Sequence, residues 1–192
     1  MTMLRDYQER ALNQLYAWFE ANETGDPCLV LPTGAGKSHL IAAICKQAIQ
    51  EWPETRVLML THVKELIEQN AERMRQHWPD APLGIFSAGI GIRQLGEPIT
   101  FAGIQSVRKR VDEIGHIDLL LIDECHLVNH AEQGGYRFLI AGLRQINPAM
   151  RVIGFTATPY RLKHGLVTDG TALFKALIEP VTIEELVHKK HL

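Results

Sequence analysis

The stretch that decides the fold of this chain is Leu31–Ser38, which reads LPTGAGKS. It follows a short apolar run at Cys28–Leu31 and precedes an apolar pattern of helical spacing that begins at His39. A strand, a glycine-containing loop and the N-terminus of a helix, in that order, are what a phosphate-binding loop requires. The sequence therefore predicts nucleotide binding at this loop.

The residue types in the loop suit the separate parts of a nucleotide. Gly34 and Gly36 permit a tight turn that brings backbone N–H groups close to a phosphate. Lys37 can reach the β- and γ-phosphates, and the hydroxyl of Ser38 can bind Mg²⁺. The general pattern has a glycine five residues before Gly36, where this chain has Leu31, so a glycine-rich strand-to-helix turn stays open as an alternative. The predicted phosphate site comprises Thr33, Gly34, Ala35, Gly36, Lys37 and Ser38.

Two adjacent acids end a second informative run, IDLLLIDECH at residues 117–126. Ile117–Ile122 is apolar apart from Asp118 and is typical of a buried strand in a parallel sheet. Asp123 and Glu124 then lie at the C-terminal edge, where open parallel sheets bind ligands. Asp123 is suited to hold Mg²⁺, and Glu124 to orient and deprotonate the attacking water. An acid pair that caps the next helix is the alternative, which the phosphate loop upstream disfavours.

A third run, GFTATPYR at Gly154–Arg161, follows another strand-like segment. Thr156 and Thr158 place two hydroxyls just beyond the end of that strand, and Pro159 ends it because proline cannot donate to a ladder. Alone this run is weak evidence, since threonine and proline are common at strand–loop junctions.

Together, LPTGAGKS, DECH at Asp123–His126 and TATPYR at Thr156–Arg161 resemble motifs I, II and III of superfamily-two nucleic-acid helicases. LRDYQ at Leu4–Gln8 resembles the adenine-reading segment, LTHVKEL at Leu60–Leu66 resembles motif Ia, and TFAGIQS at Thr100–Ser106 resembles a later strand-touching motif. The combination is most similar to bacterial RadD-type DNA repair helicases, with type III restriction translocase subunits as near relatives. The resemblance extends over nearly the whole chain.

The resemblance implies an ATP- and Mg²⁺-dependent motor domain that hydrolyses ATP. Lys37, Asp123 and Glu124 would be its catalytic residues, with Mg²⁺ held by Ser38 and Asp123. Arg5 and Gln8 would contact adenine, and the amide of Gln8 can satisfy both a donor and an acceptor on that base. Coupling of the nucleotide to nucleic acid, through hydrogen bonds that change when the γ-phosphate leaves, would fall to His126, Thr156 and Thr158.

The implied partner is nucleic acid, with DNA favoured over RNA by the RadD-type and restriction-type resemblance. Backbone N–H groups, hydroxyls and a lysine suit phosphate contact without base reading. Next to this predicted track lies a basic run, Arg108–Arg110, for which a solvated helix face is the plainer interpretation. The track residues implied by the resemblance are His62, Lys64, Gly103, Gln105 and Ser106.

The composition limits the class of protein. The chain has 192 residues, 46% hydrophobic and 22% charged, with a formal net charge of −2. These values are ordinary for a globular protein, and the charge neither requires nor excludes a nucleic-acid partner. No apolar stretch approaches the ~20 residues of a membrane span, and the N-terminus has no signal-peptide character, so a cytoplasmic location is expected. Cys28, Cys45 and Cys125 are predicted to be buried packing residues, and no metal site beyond Mg²⁺ is expected.

Strands that alternate with helices predict an α/β fold of βαβ units. We expect a mostly parallel sheet flanked by helices on both faces, the RecA-like arrangement of P-loop NTPases. Glycines at 89, 91 and 96 predict a loop. Two helical stretches are predicted near the end of the chain, at Gly170–Ile178 and Thr182–Lys190.

Residues 1–192 are predicted to form one helicase ATP-binding domain. Nothing after Arg161 resembles motifs IV to VI, so the second motor domain, with the arginine that completes the ATP site, is expected to be absent from this chain. Such an arginine contributes about 10³–10⁵ in rate, so this domain should turn ATP over slowly and should not unwind duplexes. A nucleotide-gated binding module and an RNA helicase are the alternative functions.

Overall fold

The computed structural model describes residues 4–127, 130–161, 165–170 and 172–190. Within these ranges the centre of the molecule is a sheet of eight strands, and two further short strands form a separate hairpin. The strands of the chain are β1 (Pro27–Val30), β2 (Val57–Thr61), β3 (Leu83–Ser87), β4 (Ile92–Arg93), β5 (Ile99–Gly103), β6 (Leu119–Ile122), β7 (Arg151–Thr156), the hairpin strands β8 (Tyr160–Arg161) and β9 (Gly165–Leu166), and β10 (Ala176–Ile178).

Helices cover both faces of the sheet. They are α1 (Asp6–Ala21), α2 (Lys37–Glu51), α3 (Lys64–His77), α4 (Ile104–Val107), α5 (Val111–Ile114), α6 (His130–Ile146) and α7 (Ile183–His188). Side chains from α1, α2, α3 and α7 form one hydrophobic core with the sheet, and α4, α5 and α6 form a second core on the opposite face. In the part of the chain that the structure describes, no helix is both long enough and apolar enough to cross a bilayer.

The order of strands across the sheet is β10-β1-β7-β6-β2-β5-β3-β4. All neighbouring pairs are parallel except β3 with β4. Seven strands therefore end at one common edge, and the loops that follow them are neighbours there. The predicted fold class, a mostly parallel RecA-like sheet between two layers of helices, is confirmed.

The stretch predicted to be helical at Gly170–Ile178 is instead irregular structure followed by a strand among its described residues. Ala176–Ile178 is strand β10, which pairs in parallel with Pro27–Leu29 at the open side of β1. Phe174, fully buried, lies so close to Gly154 that a Cβ built on this glycine would stand 2.5 Å from the ring. The fit of Phe174 over β7 and the unpaired edge of β1 thus override a locally helical spacing, as tertiary context often does.

Two smaller features also differ from the sequence prediction. The glycine-rich stretch expected to be only a loop contains β4, which pairs antiparallel with the end of β3 through Phe86 and Arg93. Beyond Pro159 the chain forms the β8–β9 hairpin, in which Tyr160 pairs with Leu166. Both involve strands of two residues, too short to give an alternating hydrophobic pattern. The predicted terminal helix is present as α7.

Candidate nucleotide site and nucleic-acid edge

The glycine loop joins β1 to α2 in the conformation that the sequence requires. Gly34 and Gly36 have φ values of 84° and 74°, in the left-handed region that favours glycine. Gly36 caps α2, whose first turn leaves its N–H groups without intrahelical acceptors. The loop is anchored to the sheet because the N–H of Leu31 donates to the carbonyl of Thr156 over 2.9 Å. The loop therefore offers backbone donors and a helix N-terminus to an anion.

Helix α1 holds the loop from the side. The Tyr7 hydroxyl donates to the carbonyl of Ala35 over 2.8 Å, and the amide nitrogen of Gln8 donates to the carbonyls of Ala35 and Gly36 over 3.2 Å each. Both side chains are buried, and a Cβ on Gly36 would lie 2.6 Å from the Gln8 nitrogen. The residue at position 36 must therefore be glycine for space as well as for conformation.

The two residues predicted to contact adenine lie at the start of α1. The side-chain carbonyl of Gln8 accepts from the Arg5 backbone N–H over 2.9 Å, and the exposed Arg5 guanidinium donates to the Tyr7 hydroxyl over 3.2 Å. The Gln8 side chain is thus bonded within the protein at both ends of its amide. The contact of Gln8 with a base stays a prediction. The hydrogen bonds of Gln8 and Tyr7 to the glycine loop are a role that the sequence analysis did not predict.

Lys37 lies between the two predicted catalytic acids. Its ammonium nitrogen is 3.2 Å from Oδ1 of Asp123 and forms a shorter ion pair with Oε1 of Glu124. Burial alone would lower the pKa of Lys37, but the carboxylates of Asp123 and Glu124 outweigh it and raise the pKa above its usual value. Lys37 and Glu124, which are 87 residues apart along the chain, thus converge at one edge of the sheet, where β1 and β6 end.

Asp123 has a second partner that holds its other oxygen. Asn70, on α3, donates from its amide nitrogen to Oδ2 of Asp123 over 2.8 Å, and both side chains are buried, with 7% and 4% of their surface exposed. Asn70 and Ser38 line the same small cavity beneath the loop. The amide of Asn70 therefore fixes the direction of the carboxylate predicted to bind Mg²⁺. The sequence analysis missed Asn70, whose only signal is a polar residue on the buried face of a helix.

Glu124 has an uncommon backbone conformation. Its φ of 46° places it in the left-handed region, which costs a non-glycine residue on the order of 1–3 kcal/mol. The N–H of Glu124 donates to Oδ1 of Asp123 over 2.9 Å, which stabilises the turn. This backbone turn aims the Glu124 carboxylate back toward Lys37.

His126 and the two threonines of the third motif form one hydrogen-bonded group. The Thr156 hydroxyl donates to the carbonyl of Thr158 over 2.8 Å and accepts from the Thr158 N–H over 3.1 Å. Nδ1 of His126 lies 2.7 Å from the same hydroxyl oxygen. Since a hydroxyl has one proton, already given to Thr158, Nδ1 of His126 is the donor in this bond. The same nitrogen is 3.4 Å from Oε2 of Glu124, so the group is linked to the predicted catalytic carboxylate.

These residues fit a magnesium–nucleotide complex. A triphosphate with Mg²⁺ requires a lysine, a carboxylate, a hydroxyl at the start of a helix and a loop of glycines. Lys37, Asp123, Ser38, Gly34 and Gly36 supply these groups. The structure brings together Lys37, Asp123, Glu124, His126 and Thr156 through direct contacts. We call the edge formed by the ends of β1, β6 and β7 the nucleotide half of the sheet.

The predicted nucleic-acid residues lie at the other half of the same edge, after β2 and β5. These strands pair so that Thr61 is opposite Gly103, which makes the segments that follow them neighbours. Lys64 is exposed at the first position of α3, and Gln105 is exposed on α4, whereas His62 is half-buried. The hydroxyl of Ser106 accepts from the N–H of Ala88 over 3.0 Å. We call this region, with the end of β3, the outer half.

The three cysteines are free and buried, in agreement with their predicted role in packing. The sulfur atoms of Cys28 and Cys125 are 3.4 Å apart in the core beneath the second motif. Burial raises the pKa of the Cys45 thiol to about 12, so this thiol stays protonated at neutral pH.

Comparison with known proteins identifies the family. A family model described as "Type III restriction enzyme, res subunit" matches residues 1–161. The chain belongs to this family. It is a RecA-like first motor domain of superfamily two, as the motifs predicted. The finer similarity to RadD-type helicases stays a prediction from the motifs.

The chain is also similar in sequence to one helicase and in fold to two solved structures. The mouse (Mus musculus) protein "ATP-dependent RNA helicase DHX58" is 27% identical over 67% of this chain, which spans 22% of that protein. The UvsW helicase of bacteriophage T4 has a TM-score of 0.69 at 21% identity, covering 93% of this chain and 61% of UvsW. The type ISP restriction-modification enzyme LlaGI, solved with a DNA substrate mimic, has a TM-score of 0.69 at 13% identity over 99% of this chain and 21% of LlaGI.

Proposed function

We propose that this chain is the nucleotide-hydrolysing motor domain of an ATP-driven translocase or helicase that acts on DNA, in DNA repair or restriction. The chain belongs to a helicase and restriction ATPase family, and the proposal extends this to a specific cofactor and substrate. The observation that carries it is the position of Lys37 between Asp123 and Glu124, at the edge of the sheet where β1 and β6 end.

Each group at the nucleotide half has a role in this proposal. Backbone N–H groups of residues 33–38 bind phosphate oxygens, while the ammonium of Lys37 leaves its ion pair with the acids to neutralise phosphate charge. Ser38 and Asp123 hold Mg²⁺, which would supply charge neutralisation on the phosphates. Glu124, released from Lys37, accepts a proton from water at its carboxylate.

The group of His126, Thr156 and Thr158 is proposed to carry the nucleotide state toward the outer half. His126 contacts both Glu124 and Thr156, so a movement of the Glu124 carboxylate changes the bonds available to the imidazole. The Thr156 hydroxyl already makes three hydrogen bonds, the most that one donor and two lone pairs allow. A change at any one of them therefore requires a rearrangement of the others.

RNA is the second candidate substrate, because the mouse relative is named as an RNA helicase. DNA is favoured by the match to a restriction family and by the restriction enzyme solved with a DNA mimic. Competition of unlabelled DNA and RNA of the same sequence for one labelled strand decides between them. We expect DNA to be the better competitor, and stronger competition by RNA would assign the chain to the second candidate.

We further propose that a second RecA-like domain completes the motor. The chain spans 22% of the mouse relative and 61% of UvsW, so the matched proteins contain further sequence. An arginine supplied from such a domain contributes about 10³–10⁵ in rate. The 192-residue chain alone is therefore expected to bind ATP and Mg²⁺ but to hydrolyse ATP slowly, with little stimulation by DNA. Strong DNA-stimulated hydrolysis by this chain would refute the second-domain requirement.

Binding of a fluorescent ATP analogue, with and without Mg²⁺, tests the proposed site directly. Wild-type chain should bind the analogue, and Lys37→Ala should bind it at least tenfold more weakly, since the variant cannot make a charge-assisted bond to phosphate. Lys46, on the same helix, stacks over Trp78 and provides the matched control, so Lys46→Ala should bind like wild type. Equal binding by Lys37→Ala and Lys46→Ala would reject the nucleotide site.

A further inference from the structure

A surface pocket of about 500 Å³ lies beside helices α4 and α6, and its lining residues belong to none of the helicase-like motifs. It is lined by Arg108 and Lys109, which follow α4, and by Gly135 and Phe138 of α6. We call it the Phe138 pocket. Its lining thus combines two cations, an aromatic ring and a glycine.

Packing of the hydrophobic core does not require an aromatic residue at Phe138. It is 61% exposed, although its helix is held to the core by the buried side chains of Tyr136, Leu139 and Ile140. The helix would keep these contacts with a polar residue at position 138. An exposed aromatic face on a rigid helix is a suitable platform for stacking a planar group.

The cations of the pocket are available to bind an anion. In the described part of the chain, Arg108 and Lys109 form no side-chain hydrogen bond or ion pair, whereas the neighbouring Arg110 pairs with Glu113 over 2.6 Å. Among the lining residues whose side chains the structure describes, none is acidic. A Cβ on Gly135 would lie 3.5 Å from Cδ of Arg108, an ordinary contact distance, so the Arg108 stem lies close beside the backbone of α6.

The pocket continues the outer half of the sheet edge. Helix α4 starts at Ile104, directly after β5, and the N–H of Arg108 closes its last turn on the carbonyl of Ile104 over 2.9 Å. Arg108 is therefore about one helical turn beyond the predicted track residues Gln105 and Ser106. A strand that contacts those two residues can reach the Phe138 pocket with its next nucleotides.

We propose that the Phe138 pocket binds an unpaired nucleotide of a single-stranded segment as it leaves the track. The base stacks on Phe138, and Arg108 and Lys109 bind the adjoining phosphates. This inference rests on the proposed nucleic-acid function and adds a contact outside the motifs. An acidic peptide would use the same cations, but it supplies no base to stack on the exposed ring.

Titration of a fluorescein-labelled oligothymidylate with the 192-residue chain tests the pocket. Phe138→Ala should weaken binding roughly fivefold or more, the low end of the contribution from base stacking, while Phe138→Trp restores it. Arg108→Ala combined with Lys109→Ala should lower the slope of log K against log salt by about 0.7 for each phosphate that is no longer neutralised. Trp52, an aromatic residue 63% exposed at the end of α2, provides the matched control Trp52→Ala. Arg75→Ala, an exposed cation on α3, is the control for charge.

The outcomes separate this inference from the proposed function. If wild type binds the oligonucleotide and neither Phe138→Ala nor the double variant changes this binding, the pocket proposal alone is overturned. If the double variant weakens binding but Phe138→Ala does not, the pocket is only a charged surface suited to acidic partners, and the stacking proposal is rejected. If wild type binds neither single-stranded DNA nor single-stranded RNA, the pocket proposal and the proposed nucleic-acid function are both rejected. Support requires a loss with alanine, rescue with tryptophan, and no change in either control.

Discussion

The nucleotide half and the outer half of the sheet edge are built from the same kind of strand end, but they are finished differently. At the nucleotide half, Asp123 is bonded to both Lys37 and Asn70, and all three side chains are largely removed from water. At the outer half, Lys64 and Gln105 are exposed. The first half is a buried network of paired polar groups, and the second is an open surface that a partner would cover.

This difference determines how strongly each half should respond to mutation. Buried charged groups that lose a partner are left without water to replace it, so single substitutions there have large effects. Exposed groups keep their water, so removing one interaction at the outer half should change binding by a smaller factor. The comparison therefore predicts a gradient of effects along one edge of the sheet.

The largest effect is expected at Glu124. Glu124→Gln keeps the shape of the side chain but removes the base that accepts a proton, so turnover should fall by about 10²–10⁴-fold. Affinity for ATP should stay close to that of wild type, because the phosphate donors are unchanged. Turnover per chain, with binding of a fluorescent ATP analogue in parallel, measures both quantities. Glu185→Gln is the control, because the Glu185 carboxylate accepts a hydrogen bond from Arg10 and lies far along the chain from Glu124. Full turnover in Glu124→Gln would remove the assignment of the base.

The next effect concerns Asn70, which directs Asp123 without touching the nucleotide in our proposal. Asn70→Ala should raise the Mg²⁺ concentration needed for half-maximal hydrolysis by about 10–100-fold. This is the usual cost of removing a group that orients a metal ligand. Raising the Mg²⁺ concentration should restore the rate, which a general loss of folding would not allow.

Asn147 provides a matched control for this prediction. It is also a buried asparagine, with its amide nitrogen bonded to the carbonyl of Ile117 over 2.9 Å, away from the nucleotide half. Asn147→Ala should lower the thermal unfolding midpoint while leaving the Mg²⁺ dependence unchanged. The same Mg²⁺ curve for both alanine variants would show that Asn70 only stabilises the fold.

A third effect tests why position 36 is glycine. Gly36→Ala places an alanine at φ 74° and puts its Cβ 2.6 Å from the Gln8 nitrogen, so it should lower the free energy of unfolding by about 2 kcal/mol or more. Gly91 has φ 81°, and a Cβ there would have no atom within 4 Å, so Gly91→Ala carries the conformational cost without the steric one. Denaturant unfolding of both variants gives the difference. Adding Gln8→Ala should recover part of the loss in Gly36→Ala, and no recovery would contradict the proposed contact.

The same contrast explains what could be predicted from sequence. The nucleotide half depends on residues of fixed type at fixed spacing, such as Gly36 and Lys37, so a short motif contains its chemistry. The contacts of Tyr7 with Ala35 and of Asn70 with Asp123 join separate parts of the chain, and no local pattern records which buried polar group meets which. The prediction for Ala176–Ile178 failed for a related reason, because the partner edge of this strand on β1 is a tertiary feature.

The smallest effect is expected at the outer half itself. Lys64→Ala removes one exposed cation, so it should reduce affinity for single-stranded DNA severalfold and lower the salt slope by about 0.7. Arg73→Ala, on the exposed side of the same helix, is the control and should leave the slope unchanged. ATP affinity should be the same in wild type, Lys64→Ala and Arg73→Ala. In contrast, Lys37→Ala should lose ATP binding and keep its DNA affinity. If Lys64→Ala altered ATP binding as strongly as DNA binding, the two halves would be one site, and the division of the edge into a buried nucleotide half and an open outer half would be wrong.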